Sequence, residues 1–382
     1  MKFSILLPTR NGGDFLRHCI ESILSQNFVD FELVVSDNAN TDATPKILED
    51  FATEPRLKVI RQPNALSVVE NWNAALLASS GDYCLVLGDD DYLLPGALQR
   101  LDKILNEHHP DCILYNGFSY IAPNTLEADG KSYWAEWHYH YEVDFKSEEF
   151  LTLPHRMSIV KDMFRFAQRI PLNMQTAVFS RAAMEKASGL KFEAPFPDHY
   201  LLNALLISAE KWLYVNERLV VIGASPKSFG HHFYKRKTSE GLDYLGISTR
   251  FPGALPGNEL LNGMYSWLLK LKSNFPEELE HIHIDRGGYV LRQVYFWISQ
   301  WHLDLLTLRQ LIILLLQPDL LSWGKALIKA LEPRNIMRLF SAVRFITQSQ
   351  SHSWRGLKPV EGVNNIQDFA HLVSLDFLSN NE

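Results

Sequence analysis

The stretch DYCLVLGDDDYLLPGAL, Asp82 to Leu98, packs three signals into one short segment. Asp82 to Leu87 is mostly apolar and stops at Gly88, the pattern of a buried strand. Asp89, Asp90 and Asp91 follow, and adjacent carboxylates repel one another unless something neutralises them. Pro95 marks the start of a helix. Asp89 and Asp90 lie too far before it to act as caps. A strand, an acidic turn and a helix in that order make half of a βαβ unit, and the same unit recurs on the N-terminal side.

Phe3 to Leu7 reads as a strand, and Asp14 to Gln26 as a helix with Leu16, Cys19, Ile20 and Ile23 on one face. Phe31 to Ser36 is a second strand, and Thr44 to Phe51 a short helix with Pro45 near its start. Leu57 to Ile60, Ser67 to Ala78 and Pro95 to Asn106 continue as strand, helix and helix. The alternation predicts an α/β fold: a mostly parallel sheet with helices on both faces. Such sheets bind ligands beyond the carboxyl ends of their strands. Here those ends read PTRN (Pro8 to Asn11), SDNANTD (Ser36 to Asp42) and GDDD (Gly88 to Asp91). Polar clusters recurring at one edge point to a single site.

The bulk numbers narrow the class. The chain has 382 residues, enough for two domains, with 46% hydrophobic and 21% charged residues. A net charge of -7 argues against a nucleic-acid partner. Cys19, Cys84 and Cys112 lack metal-ligand spacing and suggest a reducing, cytoplasmic setting. MKFSILLPTRNGG is too short in its apolar run for a signal peptide. No apolar run reaches the length of a spanning helix. LLTLRQLIILLLQPDLLSWG comes nearest but is interrupted by Arg309, Pro318 and Asp319, and reads as a buried or interfacial helix.

Clustered aspartates at a strand end suit a hard divalent cation such as Mg²⁺ or Mn²⁺. In an extended segment Asp89 and Asp91 point one way and Asp90 the other, and a turn brings two of them onto one ion. Glycine patterns for phosphate loops are absent; Gly12-Gly13 is the nearest approach, which disfavours a kinase or dehydrogenase.

FSILLPTRNGGDFLRHCIESILSQ, FELVVSDNANTDAT and ENWNAALLASSGDYCLVLGDDDYLLPGAL together resemble a family 2 glycosyltransferase of the GT-A fold. The resemblance covers residues 1 to about 110. It implies inverting transfer of a sugar from a nucleotide-diphosphate donor, with a "DxD" motif holding a divalent ion on the diphosphate. Residue by residue, Pro8 and Thr9 match the first loop beside the base, with Arg10 and Asn11 at its mouth. Asp37 matches the base-recognising acid, which favours a UDP-sugar, and Asn38 and Asn73 join the donor set. Asp89 and Asp90 match the ribose and metal ligands, with Asp90 and Asp91 as metal candidates. Gly88 stands where many members carry an acid, and Asn38 and Asn40 replace the commoner Gly-Ser pair.

The resemblance also implies an acidic general base near a later helix start, and PFPDHYLLNALL offers Asp198, which reads equally as an N-cap. In ASPKSFGHHFYKR, His231 is a further metal candidate, with Lys227, Lys235 and Arg236 as phosphate partners. The aromatic run Tyr133 to Tyr141 suits stacking on acceptor sugars or anchoring of a loop. The expected division is 1-238, a GT-A domain with a donor half (1-115) and an acceptor half (116-238), followed by a helical region, 239-382. Trp297, Trp301 and Trp323 there are read as core or self-association residues, or as a peripheral membrane contact. The acceptor class is a saccharide or lipid-linked precursor of a cell-surface polysaccharide. The alternatives are an inactive sugar-binding scaffold and a sugar nucleotidyltransferase.

Overall fold

The computed structural model describes residues 1–125, 130–137, 147–167, 172–226, 228, 251–333, 335–337 and 357–379. They form two compact units. One contains 1–156, 170–246 and 356–382, the other 157–169 and 247–355.

The first unit is built on one sheet. Its strands are β1 (Phe3–Thr9), β2 (Phe31–Asp37), β3 (Leu57–Arg61), β4 (Tyr83–Val86), β5 (Tyr92–Leu93), β6 (Cys112–Ile121), β7 (Ser132–Trp137), β8 (Glu149–Phe150), β9 (Ala177–Ser180), β10 (Trp212–Ala224) and β11 (Lys358–Val360). The order is β11-β7-β6-β9-β4-β1-β2-β3, with β10 beside β5, β6 and β8. β1 runs parallel to β2 and β4, and β2 parallel to β3. β9 runs antiparallel between β4 and β6. The register places Thr9 directly beside Asp37, so the ends of β1 and β2 finish level.

The helices of this unit are α1 (Asp14–Leu24), α2 (Thr44–Asp50), α3 (Val68–Leu77), α4 (Ala97–His108), the first turn of α5 (Leu153–Phe164), α6 (Arg181–Ser188) and α7 (Pro197–Ser208). The sequence dictates several of their ends. Ser67 and Glu70 close a reciprocal capping box on α3. Gly189 stops α6 in a left-handed conformation. Leu16, Cys19, Ile20 and Ile23 of α1 are fully buried against Ile5, Leu7, Leu33 and Leu85 of the sheet. α4 starts at Ala97 after Gly96, without a side-chain cap. The acidic turn therefore does not serve as its cap.

The sheet and its helices agree with the expected class, but two departures are instructive. CILYNGFSYI, which has no clear alternation, forms the ten-residue β6, buried at every position but Ser119. The expected single cut at residue 238 is replaced by units that share the chain differently. α12 (Ile366–Ser379) belongs to the first unit, because Ile366, Phe369, Ala370 and Val373 complete a core with Tyr92, Phe118, Tyr120 and Val221. Trp134 also packs on Phe369, at 5.8 Å between ring centroids. That contact makes it a loop anchor. Tyr139 and Tyr141 lie outside the described residues.

The second unit is helical: the later part of α5, α8 (Glu259–Asn274), α9 (Arg286–His302), α10 (Leu308–Leu315) and α11 (Leu320–Ala330). Trp297 is fully buried and donates its indole N–H to the Pro256 carbonyl at 2.7 Å. The apolar run containing Pro318 breaks into α10 and α11, bent by 102° at Leu316 to Asp319. Asp319 caps α11 through the Ser322 N–H.

Candidate active site

The candidate site lies where β1, β2 and β4 end. The Thr9 hydroxyl donates to Asp89 Oδ2 at 2.6 Å, tying the first strand end to the acidic turn. Asp89 lies over Gly12: a Cβ there would sit 2.7 Å from Asp89 Oδ2, so only glycine fits. Asp37 is buried and accepts from the Asn40 side-chain amide at 2.6 Å. Asn40 in turn accepts from the Asn11 backbone N–H, and Asn11 Oδ1 accepts from the Thr41 N–H at 2.9 Å. The first two strand-end loops are thus laced together around Asp37. Pro8 is half-buried beside them, and Arg10 is exposed at the rim.

The three aspartates have three different environments. Asp91 is buried and accepts from the Gly88 N–H at 2.6 Å and from the Gly223 N–H at 2.9 Å. The Gln175 side chain adds a further bond. Asp91 is therefore a brace. It closes its own turn and ties it to β10. Of the two aspartates expected to hold a metal, this is the one whose oxygens both accept from backbone amides. A Cβ at Gly88 would come within 3.0 Å of Asp91 Oδ2. A side chain at this position would crowd the Asp91 carboxyl.

Asp90 is the opposite case. Ser225 gives its carboxyl one hydrogen bond, yet Oδ2 is buried and has no hydrogen-bond partner among the described residues. An unpaired buried carboxylate oxygen carries the full cost of desolvation. Burial, followed by the charges of Asp91 and Asp89, pushes the Asp90 carboxyl well above the usual carboxylate range. Asp91 is pushed up to about 7, chiefly by burial, against the hydrogen bonds from Gly88 and Gly223. β10 closes the back of this turn. A Cβ on Gly223 would lie 1.7 Å from the Asp90 carbonyl oxygen, so no other residue fits.

The orphaned Oδ2 fits a divalent cation. A hard cation takes carboxylate oxygens, and its charge would offset both the repulsion and the raised proton affinity. Among these residues Asp90 would hold the ion. His231, with Lys227, Lys235 and Arg236, lies outside the described residues.

Two residues of the expected donor set make structural contacts. The Asn38 side chain clamps Leu66, donating to its carbonyl at 3.0 Å and accepting from its N–H at 2.6 Å. Asn73 clamps Phe192 in the same way, at 3.0 and 2.8 Å. Both side-chain amides are committed to backbone and hold the loops that flank the strand ends.

Asp198 lies in the first turn of α7, whose N-cap is Phe196. Its carboxyl makes no capping bond and is 31% exposed, with His199 Nε2 at 4.0 Å. α7 packs against the single turn Met174–Thr176 that presents Gln175 to Asp91. The chain of contacts from the acidic turn to α7 is therefore continuous. Sequence reading missed Gly12, Gln175, Gly223 and Ser225, because each acts across a large sequence separation.

A second acidic group, Glu107, His108 and Glu148, lies near the surface. Arg100 pairs with Glu148 and with Glu217, and His108 Nε2 is 3.0 Å from Glu148. This group already contains its own cation.

Residues 4–169 match the family described as glycosyl transferase family 2. Poly(ribitol-phosphate) beta-N-acetylglucosaminyltransferase TarS of Staphylococcus aureus is 32% identical over 117 residues, 30% of this chain and 20% of that protein. Glycosyltransferase GlyG of Streptococcus pneumoniae is 26% identical over 131 residues, 34% of this chain and 42% of GlyG. The match spans less than half the length of either relative. A crystal structure of S. aureus TarS 1-349 in complex with UDP-GlcNAc superposes with a TM-score of 0.57 at 17% identity, covering 92% of this chain and 93% of that one. At that identity the likeness is one of fold, and it is the GT-A fold.

Proposed function

We propose that this protein is an inverting glycosyltransferase. It moves a sugar from a nucleotide-diphosphate donor, a UDP-sugar in our reading, to a saccharide or lipid-linked acceptor of a cell-surface polysaccharide. The single observation that carries the reading is the buried, unpartnered Asp90 Oδ2 at the ends of β1, β2 and β4. The family match of residues 4–169 supports it.

The residues divide the work as follows. Asp37 and its laced loops form the seat for the base, and Asp89, fixed by Thr9, faces the ribose. Asp90 would hold Mn²⁺ or Mg²⁺; when bound, the ion offsets the negative charge that builds on the diphosphate as the glycosidic bond breaks. Asp91, Gly88 and Gly223 keep Asp90 in place. Asp198 takes the proton from the acceptor hydroxyl, whose oxygen attacks the anomeric carbon as the nucleoside diphosphate leaves. Its partial exposure leaves room for an acceptor.

The test is calorimetry of UDP, GDP and dTDP with and without Mn²⁺, followed by transfer assays with the matching sugar nucleotide. Metal-dependent binding of UDP and inversion at the anomeric carbon are expected. Failure of the folded protein to bind any of the three nucleotides would remove the reading.

A further inference from the structure

In the second unit, α10 and α11 are apolar on both sides. Leu311 and Ala326 face inward and are buried. Outward, Leu316 is 77% exposed and Leu320 92%, with Leu321, Leu327, Ile328 and Leu331 beside them. A surface helix ordinarily turns a polar face to water, and a patch of this kind marks a contact surface. Among the described residues no single helix is long and apolar enough to cross a membrane. The two helices are 8 and 11 residues long, against roughly 20 for a span.

A cavity of about 650 Å³ adjoins the far end of α11. Lys161, Arg165, Arg292 and Lys329 line it. Lys329 pairs with Asp285 at 2.8 Å and with Glu332 at 2.9 Å, and Arg165 with Glu332 at 3.7 Å, which leaves Lys161 and Arg292 to meet a phosphate. Lys329 and Glu332 face the cavity, while Leu327, Ile328 and Leu331, their neighbours in sequence, are exposed. Apolar side chains flanked by cations are the signature of an element lying in a bilayer interface. A second copy of this chain is the weaker match. A two-fold interface would bring the same basic surfaces together, and its core would favour aromatic residues over a run of Leu and Ile.

We propose that the α10–α11 face docks on an anionic phospholipid surface, with the cationic cavity receiving a lipid headgroup phosphate. This goes beyond the donor-site reading and stands on the second unit alone. The test is co-sedimentation of the full chain with vesicles of phosphatidylglycerol and phosphatidylcholine, compared with phosphatidylcholine alone. The wild type is expected to sediment with the anionic vesicles, and at least about tenfold less with the neutral ones or at high salt. Leu320→Glu/Ile328→Glu, at exposed positions, is expected to abolish sedimentation. Lys161→Gln/Arg292→Gln is expected to weaken it on anionic vesicles only. UDP calorimetry on the same variants should be unchanged, which separates this proposal from the donor site. Absence of vesicle binding by the wild type would overturn it. So would a dimer in analytical ultracentrifugation that Leu320→Glu/Ile328→Glu dissociates without any vesicle binding.

Discussion

The acidic turn after β4 and the α10–α11 helix pair break the rules of folding in opposite directions. The turn buries a carboxylate oxygen with nothing to bond it, while the helix pair exposes leucines with nothing to cover them. Both are costly in isolation. Around each, the fold is well satisfied: Asp91 is held by two backbone amides, and α11 is capped by Asp319. Local cost inside a satisfied frame is what a binding site looks like before its ligand arrives. In our proposal the partner of the turn is a small hard cation, and that of the helices is a large soft surface.

The comparison breaks most violently at Gly223. Gly223→Ala forces a Cβ into the Asp90 carbonyl, where only backbone can move. A loss of about 3 kcal/mol or more, or failure to fold, is expected in denaturant unfolding. Next, Asp198→Asn is expected to slow transfer by about 10²- to 10⁴-fold with UDP affinity within about twofold. Equal losses of both would show that Asp198 supports the fold instead of the chemistry.

The two neighbouring aspartates sharpen the contrast further. Asp91→Asn places an amide against the N–H groups of Gly88 and Gly223 and is expected to cost about 1–3 kcal/mol in thermal unfolding. Asp90→Asn removes a strained charge, so stability is expected to hold or rise while metal-dependent nucleotide binding disappears.

The smallest effects concern pH. A raised carboxyl holds its proton more tightly when folded, so its stabilising contribution is full below about pH 4. In metal-free protein the Asp91 contribution is lost as pH rises through about 7. Glu54 has the opposite sign. Arg56, bonded at 2.8 and 2.9 Å, holds it down to about 2. Its contribution is present above about pH 4 and is lost as pH falls toward 2. Because both side chains are partly exposed, that loss is small. Unfolding midpoints across pH in chelator and in Mn²⁺ read both; only the neutral-pH limb should respond to the ion.

The sheet was legible because its strands and helices alternate in short, cleanly bounded segments. The site's address was legible too, since polar strand ends recur at one edge. The distinction among the aspartates was not. Alternation along an extended strand pairs Asp89 with Asp91, but the chain turns here, and the Asp91 N–H bonds back to the Gly88 carbonyl at 3.2 Å. Gly223 is 132 residues from Asp91. Asn38 and Asn73 look like ligand-binding amides in sequence, yet their partners are Leu66 and Phe192. Helical periodicity gave the second unit its helices but did not show which of two apolar faces would stay uncovered.

The most direct test of the central claim is Mn²⁺ binding itself, followed by electron paramagnetic resonance in wild type, Asp90→Asn and Asp91→Asn, each first shown to be folded. With UDP present, the account predicts one bound ion in wild type, none in Asp90→Asn, and a retained ion in Asp91→Asn. Undiminished binding in Asp90→Asn would contradict it.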